Sequence, residues 1–401
     1  MTRNTTPGGV LYISYDGMLE PLGQSQVLAY LEQLARTREI HLLSFEKPDD
    51  LKDAEARARV QARMDAAGIH WHVRRYHKRP SALATAWDIG VGTLSAIWLV
   101  LRHRLRIVHA RSYVPALMAL WVKRITGARF LFDMRGFWAD ERVDGGLWPC
   151  EGRLYRITKK LERQFLLNAD HVVSLTNAAL REMQTWPWLA GRLPPTSVIT
   201  TCADLRRFAC TPMPPREPFV VGYVGSAGTW YLFDEAVACF ALLREMRPDA
   251  RWLIVNRGEH AFIRARLEAG GITAEAVELR SAEHSEIPAL MARMHAAMFF
   301  IKPYFSKQAS APTKLAELLG CGVPCLGNSN VGDMARILED ANVGIAIDDF
   351  TADSMREGLE GLFALAANPA IRARCAQAAA AHFSLSDGVE RYRRIYETFD
   401  R

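Results

Sequence analysis

The residues best suited to chemistry lie in one segment, 306–324, which reads SKQASAPTKLAELLGCGVP. A short apolar run, 298–301, ends just before it, and the pattern predicts a helix over 312–320 and a strand that begins at Pro324. The first turn of such a helix carries unpaired backbone N–H groups and the positive end of the helix dipole. A helix that opens with hydroxyl and ammonium side chains therefore predicts an anion-binding site.

The residue types around this helix indicate a nucleotide. Ser310, Pro312, Thr313 and Lys314 stand at or just before its first turn, where a phosphate would bind. Glu317 follows one turn later, and its carboxylate can accept hydrogen bonds from sugar hydroxyls. A phosphate at the tip of the helix with a diol beside it describes a nucleotide.

Length and composition set the broad class. At 401 residues the chain exceeds a single typical hydrophobic core, so we expect two domains. Residues 1–9 are polar and the first apolar run, 10–14, is only strand-sized, so no signal peptide is expected. The seven cysteines are scattered, and Cys321 and Cys325 lack a second pair or neighbouring histidines. We therefore expect reduced thiols and no zinc site.

The net charge of +6 and the pI of about 9.0 suggest nucleic acid, an anionic membrane or a phosphorylated substrate as partner. No zinc finger, RNP-type strand or long basic helix is present, which argues against nucleic acid. Basic residues concentrate at 74–79 and 102–106, on either side of the apolar run 82–101. Asp88, two glycines and several Ser/Thr residues argue against a membrane-spanning helix. We interpret the run either as a core helix or as a helix on a membrane surface, flanked by cations for anionic lipid.

Short apolar runs alternate with predicted helices along the first half of the chain. Nearly continuous apolar runs are typical of strands covered on both faces, and the order strand–helix–strand predicts a parallel, doubly wound domain. The predicted strands are 10–14, 41–45, 71–74, 107–110, 130–133, 171–175 and 198–201, and the predicted helices are 24–36 and 50–67.

After a proline-rich stretch, 208–218, the pattern restarts. The later predicted strands are 219–224, 252–256, 277–280, 298–301 and 324–327, and the predicted helices include 233–246 and 385–399. The predicted fold class is α/β, with two Rossmann-like doubly wound domains facing a central cleft. The predicted parts are a first domain (1–207), a linker (208–218), a second domain (219–384) and a C-terminal helix that packs back on the first domain (385–401).

Ligands of such folds bind beyond the carboxyl ends of the strands, so residues at those ends are the site candidates. In the first half they are Asp16, His109, Arg111, Arg135, Asp140 and Glu141. In the second half they are Gly225, Ser226, Arg257 and Lys302, together with the helix start described above. This collection is rich in cations and hydroxyl groups, as a pyrophosphate-bearing donor requires.

Several short motifs follow these strands or open these helices. They are LGQSQ at 22–26, IVHARSY at 107–113, FDMRGFW at 132–138, GYVGS at 222–226, APTKLAE at 311–317 and NVGD at 330–333. With these motifs the sequence resembles the GT-B glycosyltransferases of family 4, which are retaining enzymes that use nucleotide sugars. The resemblance spans nearly the whole chain, and 312–324 is its most specific part.

The resemblance implies that the first domain binds the acceptor and the second domain binds the donor. It further implies that Gly23 lies against the donor phosphates, that His109 touches the transferred sugar and that Glu317 holds the ribose. Arg135, Lys302 and Lys314 complete the candidate catalytic set with His109.

Two positions depart from the family pattern. Ala309 stands eight residues before Glu317, where the family has the first glutamate of a Glu-x7-Glu pair that contacts the sugar. The family often has an arginine and a lysine just after the first strand of the second domain, whereas 225–231 contains no cation. The candidates to neutralise the leaving diphosphate are therefore Lys302, Lys307, Lys314 and Arg257.

The resemblance implies a front-face displacement, in which the acceptor hydroxyl attacks on the side that the diphosphate leaves. The protein then mainly positions the reactants and stabilises the departing charge.

No Asp-x-Asp occurs, so we expect neither a required metal nor another cofactor. The expected donor is a UDP-sugar and the expected acceptor a saccharide, lipid-linked, in envelope polysaccharide synthesis. The expected location is cytoplasmic, peripheral on the inner face of the membrane.

Structural alternatives stay open for several candidates. His109 could be a packed histidine, Arg135 could pair with Asp140 or Glu141, and Glu317 could pair with Lys314 along the helix.

Rival functions also stay open. A nicotinamide oxidoreductase would need a Gly-x-Gly-x-x-Gly after the first strand, and an exported binding protein would need a signal peptide. A catalytically degraded partner subunit is consistent with the alanine in place of the first glutamate.

Overall fold

The computed structural model describes residues 8–77, 79, 81–215 and 217–401. Residues 1–7 of the polar N-terminal segment, Lys78 of the first basic cluster and Arg216 of the predicted linker lie outside the described residues. The chain forms two compact units, one containing Met1–Ile199 and Ser386–Arg401, the other Thr200–Leu385. The boundary between the units thus follows Ile199 rather than residue 207, and the C-terminal helix belongs almost entirely to the first unit.

Within the described residues, the first unit contains a seven-stranded sheet in the order β3-β2-β1-β4-β5-β6-β7, with all pairs parallel. Its strands are β1 (Val10–Ser14), β2 (Ile40–Glu46), β3 (Ile69–Arg75), β4 (Ile107–Arg111), β5 (Arg129–Asp133), β6 (His171–Ser174) and β7 (Thr196–Val198). Every residue of β1, β2 and β4 is buried, as expected for strands covered on both faces. The predicted parallel sheet is confirmed, although its last strand lies earlier than the predicted 198–201.

The helices of the first unit begin with a segment of three parts. These are α1 (Pro21–Gly23), a π-helical stretch (Gln24–Leu28) and α2 (Ala29–Leu34). The others are α3 (Ala54–Ala67), α4 (Ser81–His103), α5 (Tyr113–Thr126), α6 (Trp138–Asp144), α7 (Arg153–Asn168), α8 (Asn177–Thr185) and the C-terminal helix (Leu385–Asp400). Helix α3 begins at Ala54 rather than at the predicted residue 50, because the Asp53 side chain accepts a hydrogen bond from the Ala56 N–H and caps the helix there.

Helix α4 covers the apolar run and packs by one face only. Its Asp88 is buried and accepts hydrogen bonds from the Tyr15 hydroxyl at 2.9 Å and from Nδ1 of His77 at 2.6 Å. The opposite face exposes an apolar stripe formed by Leu83, Trp87, Leu94, Trp98 and Leu101. By length and composition, 83–103 is the one candidate membrane span among the described residues, and a third of its most apolar window is buried. One face of the run thus packs as a core helix and the other carries the exposed stripe, and attachment to a membrane surface stays a prediction.

Within the described residues, the second unit contains a six-stranded parallel sheet in the order β10-β9-β8-β11-β12-β13. Its strands are β8 (Val220–Val224), β9 (Arg251–Val255), β10 (Val277–Arg280), β11 (Ala296–Met298), β12 (Cys325–Asn328) and β13 (Gly344–Ile347). Its helices are α9 (Phe233–Met246), α10 (His260–Ala269), α11 (Ile287–Ala292), α12 (Thr313–Gly320), α13 (Met334–Asp340), α14 (Ala352–Ala367) and α15 (Ile371–Phe383).

Aromatic packing holds the first strands of this second sheet against α9. Trp252 is fully buried and stacks on Phe233 and Phe240, with ring centroids 5.7 and 4.7 Å apart. Such rings bury a large apolar area and tolerate little displacement. Strand β9 is thereby anchored on α9, and Asn256 and Arg257 follow its carboxyl end.

Candidate functional site

Helix α12 spans Thr313–Gly320, and the helix predicted over 312–320 is confirmed. Pro312, whose φ is −66°, occupies the N-cap, which suits an extended residue that leads into a helix. Leu315, Leu318 and Leu319 are buried and anchor the helix in the core. The first turn is therefore held rigidly, and the first N–H groups of a helix have no partner within the helix itself.

Lys314 is the most unusual side chain of this helix. It is only 7% exposed, and its Nζ has no hydrogen-bond partner among the described residues. The ammonium lies 3.8 Å from the ring centroid of Tyr231 and 4.8 Å from that of Tyr223. Burial lowers the pKa of Lys314 to about 7, although Glu317 and Glu259 act in the opposite direction. A buried cation without a hydrogen-bonded partner is rare in proteins and marks a place for an anion.

The ammonium of Lys314 lies against the turn that follows β8. Gly225 in this turn has a φ of 103°, which favours glycine, and a Cβ at this position would lie 3.2 Å from Nζ of Lys314. The sequence contains no cation in this turn. In the structure, Lys314 of α12 supplies a cation beside this turn.

The same turn is held by a carboxylate that the sequence analysis missed. Glu259 accepts hydrogen bonds from the N–H groups of Ala227 and Gly228 at 2.8 and 2.9 Å, and from Nδ2 of Asn256 at 2.9 Å. Burial opposes the ionisation of Glu259, but these donors outweigh it and lower its pKa. In the sequence, the role of Glu259 is indicated only by an asparagine at the end of β9 that is followed by an acidic residue three positions later. The carboxylate fixes the shape of the turn that Lys314 faces.

Glu317 lies one turn beyond Lys314 on α12, and 13% of its side chain is exposed. Its Oε1 lies 3.6 Å from Nε2 of His284, which follows β10. Among the described residues Nζ of Lys314 has no hydrogen-bond partner, so Lys314 and Glu317 do not form a hydrogen-bonded pair along the helix. Lys314 and Glu317 thus present a cation and a carboxylate from neighbouring turns of one helix.

The remaining candidates of the second unit are arranged differently. Lys307 is buried, with its Nζ 3.7 Å from the ring centroid of Trp230. Lys302 is half-buried, and its backbone N–H donates to the carbonyl of Trp230. Ser226 and Arg257 are exposed, and the Ser310 N–H donates to the carbonyl of Lys307. Of the four candidate cations, Lys314 is the one whose Nζ lies against Gly225, whereas Lys307 lies against Trp230 further along the same segment.

In the first unit, His109 is buried beneath the C-terminal helix. Its Nδ1 lies 2.7 Å from the hydroxyl of Tyr396, and its Nε2 lies 3.6 Å from Oδ2 of Asp133. Tyr392 donates a hydrogen bond to the same carboxylate oxygen at 3.1 Å. Burial lowers the pKa of His109, so the imidazole is neutral at pH 7. This is the geometry of a packed histidine, and a contact between His109 and a sugar stays a prediction.

Arg111 and Arg135 converge on Asp133 rather than on the carboxylates expected from the sequence. Nη1 of Arg111 and Nη1 of Arg135 lie 4.0 and 3.9 Å from Asp133, and Nε of Arg111 lies 3.3 Å from Asp16. Burial opposes the ionisation of Asp133, but Arg135, His109 and Arg111 outweigh it and lower its pKa. Arg135 has a φ of 60°, a strained conformation that is frequent at functional sites. The strands thus bring together Asp16 and Arg111, two of the predicted acceptor-side residues, and the catalytic candidate Arg135 lies against the same Asp133 carboxylate as Arg111.

Asp140 belongs to a separate network. It accepts hydrogen bonds from the Tyr155 hydroxyl at 2.8 Å and from Nζ of Lys159 at 2.9 Å. Asp140 therefore anchors α6 to α7, and Arg135 approaches Asp133 instead. Glu141 is the next residue of α6 and is half-buried.

Gly23 occupies a tight position at the end of α1. A Cβ at this position would lie 2.0 Å from the carbonyl oxygen of Gly17, so no other residue fits without backbone movement. The buried Glu46 holds the chain before it, since its carboxylate accepts hydrogen bonds from the N–H groups of Met18 and Leu19. The glycine permits close backbone packing, and a contact between Gly23 and phosphates stays a prediction.

Two family models match this chain in succession. The Glycosyl transferase 4-like domain matches residues 23–200, and Glycosyl transferases group 1 matches residues 212–382. No curated protein matches the sequence.

Solved structures share the fold over nearly the full length. A glycosyltransferase from Rickettsia africae superposes with a TM-score of 0.71 at 12% identity, covering 99% of this chain and 100% of that one. Sucrose-phosphate synthase from Thermosynechococcus elongatus gives 0.74 at 12% identity, covering 98% of both chains. HepE from Anabaena, solved with UDP and glucose, gives 0.67 at 14% identity, covering 97% of this chain and 99% of that one.

The two matched families divide the chain much as the two Rossmann-like units do, and the solved structures have the same fold. The protein belongs to the glycosyltransferases of the GT-B type.

Proposed function

We propose that this glycosyltransferase moves a sugar from a UDP-sugar to a saccharide acceptor, with retention of anomeric configuration, as in the family 4 enzymes that its sequence resembles. The proposal rests on Lys314, a buried ammonium at the first turn of α12 that has no hydrogen-bonded partner in the described part of the chain. A diphosphate would supply the missing partner, because it accepts hydrogen bonds from both the ammonium and the helix N-terminus.

The donor would lie along α12. Lys314 and the backbone N–H groups of the first turn would bind the diphosphate, and Glu317 would accept hydrogen bonds from the ribose hydroxyls. Uracil as the base is supported by the likeness to HepE, which was solved with UDP and with UDP-glucose.

Charge development on the leaving diphosphate determines what the protein must provide. As the bond between the sugar and the diphosphate breaks, negative charge grows on the phosphate oxygens, and a fixed cation in a buried site stabilises that charge without reorganisation. The acceptor hydroxyl would attack from the same side and pass its proton to the departing phosphate. Lys314 and the helix N-terminus would fill the role that a divalent ion has in metal-dependent transferases, so we propose transfer without a metal.

The apolar stripe of α4 supports a membrane-borne acceptor. Its five side chains are each more than half exposed, and their spacing of four, seven, four and three residues places them on one face of the helix. An exposed apolar surface of this kind marks an interaction site. Arg102 and Arg104 are exposed at the end of the helix, where each could contribute about 1 kcal/mol at an anionic surface. We therefore propose peripheral attachment to the inner leaflet and a lipid-linked saccharide of the cell envelope as acceptor.

A second candidate function is a catalytically degraded partner subunit that binds the nucleotide without turning it over. The observation that favours it is Ala309, which is 2% exposed and offers no carboxylate where the family has a glutamate. In this case the donor site would bind UDP, but the chain would neither hydrolyse nor transfer the sugar.

A panel of nucleotide sugars tests both candidates. The full chain is heated with UDP- and GDP-sugars, and the donors that raise its melting temperature are then assayed for hydrolysis and for transfer to lipid-linked saccharides. The proposal expects stabilisation by UDP-sugars, slow hydrolysis of one of them, and a product whose anomeric configuration matches the donor. Binding without turnover would support the partner subunit, and no stabilisation by any nucleotide would contradict both.

A further inference from the structure

We propose that Glu39, His41 and His103 form a binding site for a divalent transition-metal ion, best suited to Zn²⁺, in the first unit. The three residues come from the start of β2 and the end of α4. Imidazole nitrogens and a carboxylate oxygen are the donor set that zinc accepts in proteins.

The ligand atoms are already close together. One donor atom from each of the three residues lies within 4.8 Å of the other two, and Nε2 of His41 lies 2.9 Å from Oε1 of Glu39. In a tetrahedral zinc site with metal–ligand distances near 2.0–2.1 Å, donor atoms are about 3.3 Å apart. Small side-chain rotations would therefore close the site, and three protein ligands leave one coordination position for water.

A further histidine orients the central ligand. Nδ1 of His41 lies 3.0 Å from Nε2 of His72, and the two rings are stacked. When a metal ion replaces the proton between His41 and Glu39, the remaining proton of His41 lies on Nδ1 and is donated to His72. This is the arrangement in which a second residue fixes the tautomer of a metal-binding imidazole.

The tertiary structure concentrates imidazoles at this place. His41 pairs with His70 across β2 and β3, with ring centroids 4.5 Å apart, and the ring of His103 lies 4.3 Å from that of His41.

The bound ion would have a structural effect. Glu39 precedes β2, and His103 is the last residue of α4, so one ion would connect the sheet to the end of the helix that carries the apolar stripe. The inference does not depend on the proposed donor site, because Lys314 and Glu317 belong to the second unit.

The test uses the full chain without a polyhistidine tag, treated with a chelator and then dialysed. We expect titration with ZnCl₂ alone to give one ion per chain with a dissociation constant in the micromolar range or below, and a higher melting temperature. Co²⁺ in place of Zn²⁺ should give the intense visible absorption of a tetrahedral or five-coordinate ion.

Variants assign the ligands. His103→Ala and Glu39→Gln should each weaken Zn²⁺ binding on the order of a hundredfold, and His72→Ala roughly 10–100-fold. His382→Ala removes an exposed histidine of α15 and should bind like wild type. The buried His41 is left unchanged, because its replacement could unfold the protein. Absence of stoichiometric binding, or wild-type affinity in both His103→Ala and Glu39→Gln, would overturn the proposal.

Discussion

Replacing Lys314 with methionine should stabilise the protein and weaken nucleotide binding about tenfold or more. Methionine keeps the length of the side chain and its contact with the Tyr231 ring but removes the ammonium. An ordinary buried lysine that mattered for folding would give the opposite result, so the sign of the stability change separates the two roles.

The pKa of Lys314 sets the magnitude of the expected change in stability. Its pKa is about 7 in the folded protein and 10.5 in the absence of burial, and this difference of about 3.5 pH units corresponds to about 5 kcal/mol at roughly 1.4 kcal/mol per unit. The unfolded chain binds more protons between pH 7 and 10.5, so wild-type stability should rise with pH over this window. The attraction between the ammonium and the aromatic ring offsets about 0.5–2 kcal/mol of the cost of burying the charge. The variant should therefore gain on the order of 2–4 kcal/mol at pH 7.

Two assays measure the outcome. Thermal unfolding should show a higher melting temperature for Lys314→Met, with about 2–4 °C for each kcal/mol in a unit of this size. Calorimetric titration with UDP should show binding weakened about tenfold or more, since a hydrogen bond to a charged group contributes about 1.5–3 kcal/mol. The exposed Lys160 of α7 provides the control, and Lys160→Met should change neither quantity.

The pH dependence of binding adds a third signature. Above pH 7 the ammonium of Lys314 loses its proton in the free enzyme. Lys314 must then take up a proton when a diphosphate binds. The wild-type affinity for UDP should therefore fall up to about tenfold per pH unit above pH 7. The reasoning is refuted if Lys314→Met is less stable than wild type and binds UDP with unchanged affinity and pH dependence.

The remaining predictions concern the donor, the acceptor side, the metal and the membrane. Glu317→Ala should weaken UDP binding about tenfold or more in calorimetry, for lost ribose hydrogen bonds of about 1.5–3 kcal/mol, and unchanged affinity would exclude a ribose contact. His109→Ala and Lys302→Ala should lower the transfer rate per folded molecule more than the melting temperature, and a normal rate in either variant removes that residue from the site. EDTA should leave the initial rate unchanged, and a loss restored by Mg²⁺ or Mn²⁺ would show a metal-dependent reaction. The protein should float with anionic liposomes at low salt and be released as salt rises, whereas a variant with Trp87 and Trp98 changed to serine should not float; a wild type that stays unbound at low salt contradicts the membrane proposal.

The sequence alone determined the elements and their order. Continuous apolar runs predicted parallel strands covered on both faces, and β1, β2 and β4 are fully buried. The helix predicted over 233–246 has the same limits in the structure, and the start and end residues of α12 were readable from its proline and glycine. These features follow from local rules, because backbone conformation and side-chain period are set by residues within a few positions of one another.

Only the tertiary structure decided which side chains meet. Both faces of α4 are apolar, so its sequence does not tell which face packs and which forms the stripe. His109 lies against Tyr396, and the ammonium of Lys314 lies against the turn at Gly225, although nearly 90 positions or more separate the members of each pair. Local patterns carry no information on such contacts, because they depend on how the helices pack on the sheets. The same packing removes water from Lys314 and thereby turns an ordinary lysine into a buried cation with a pKa near 7.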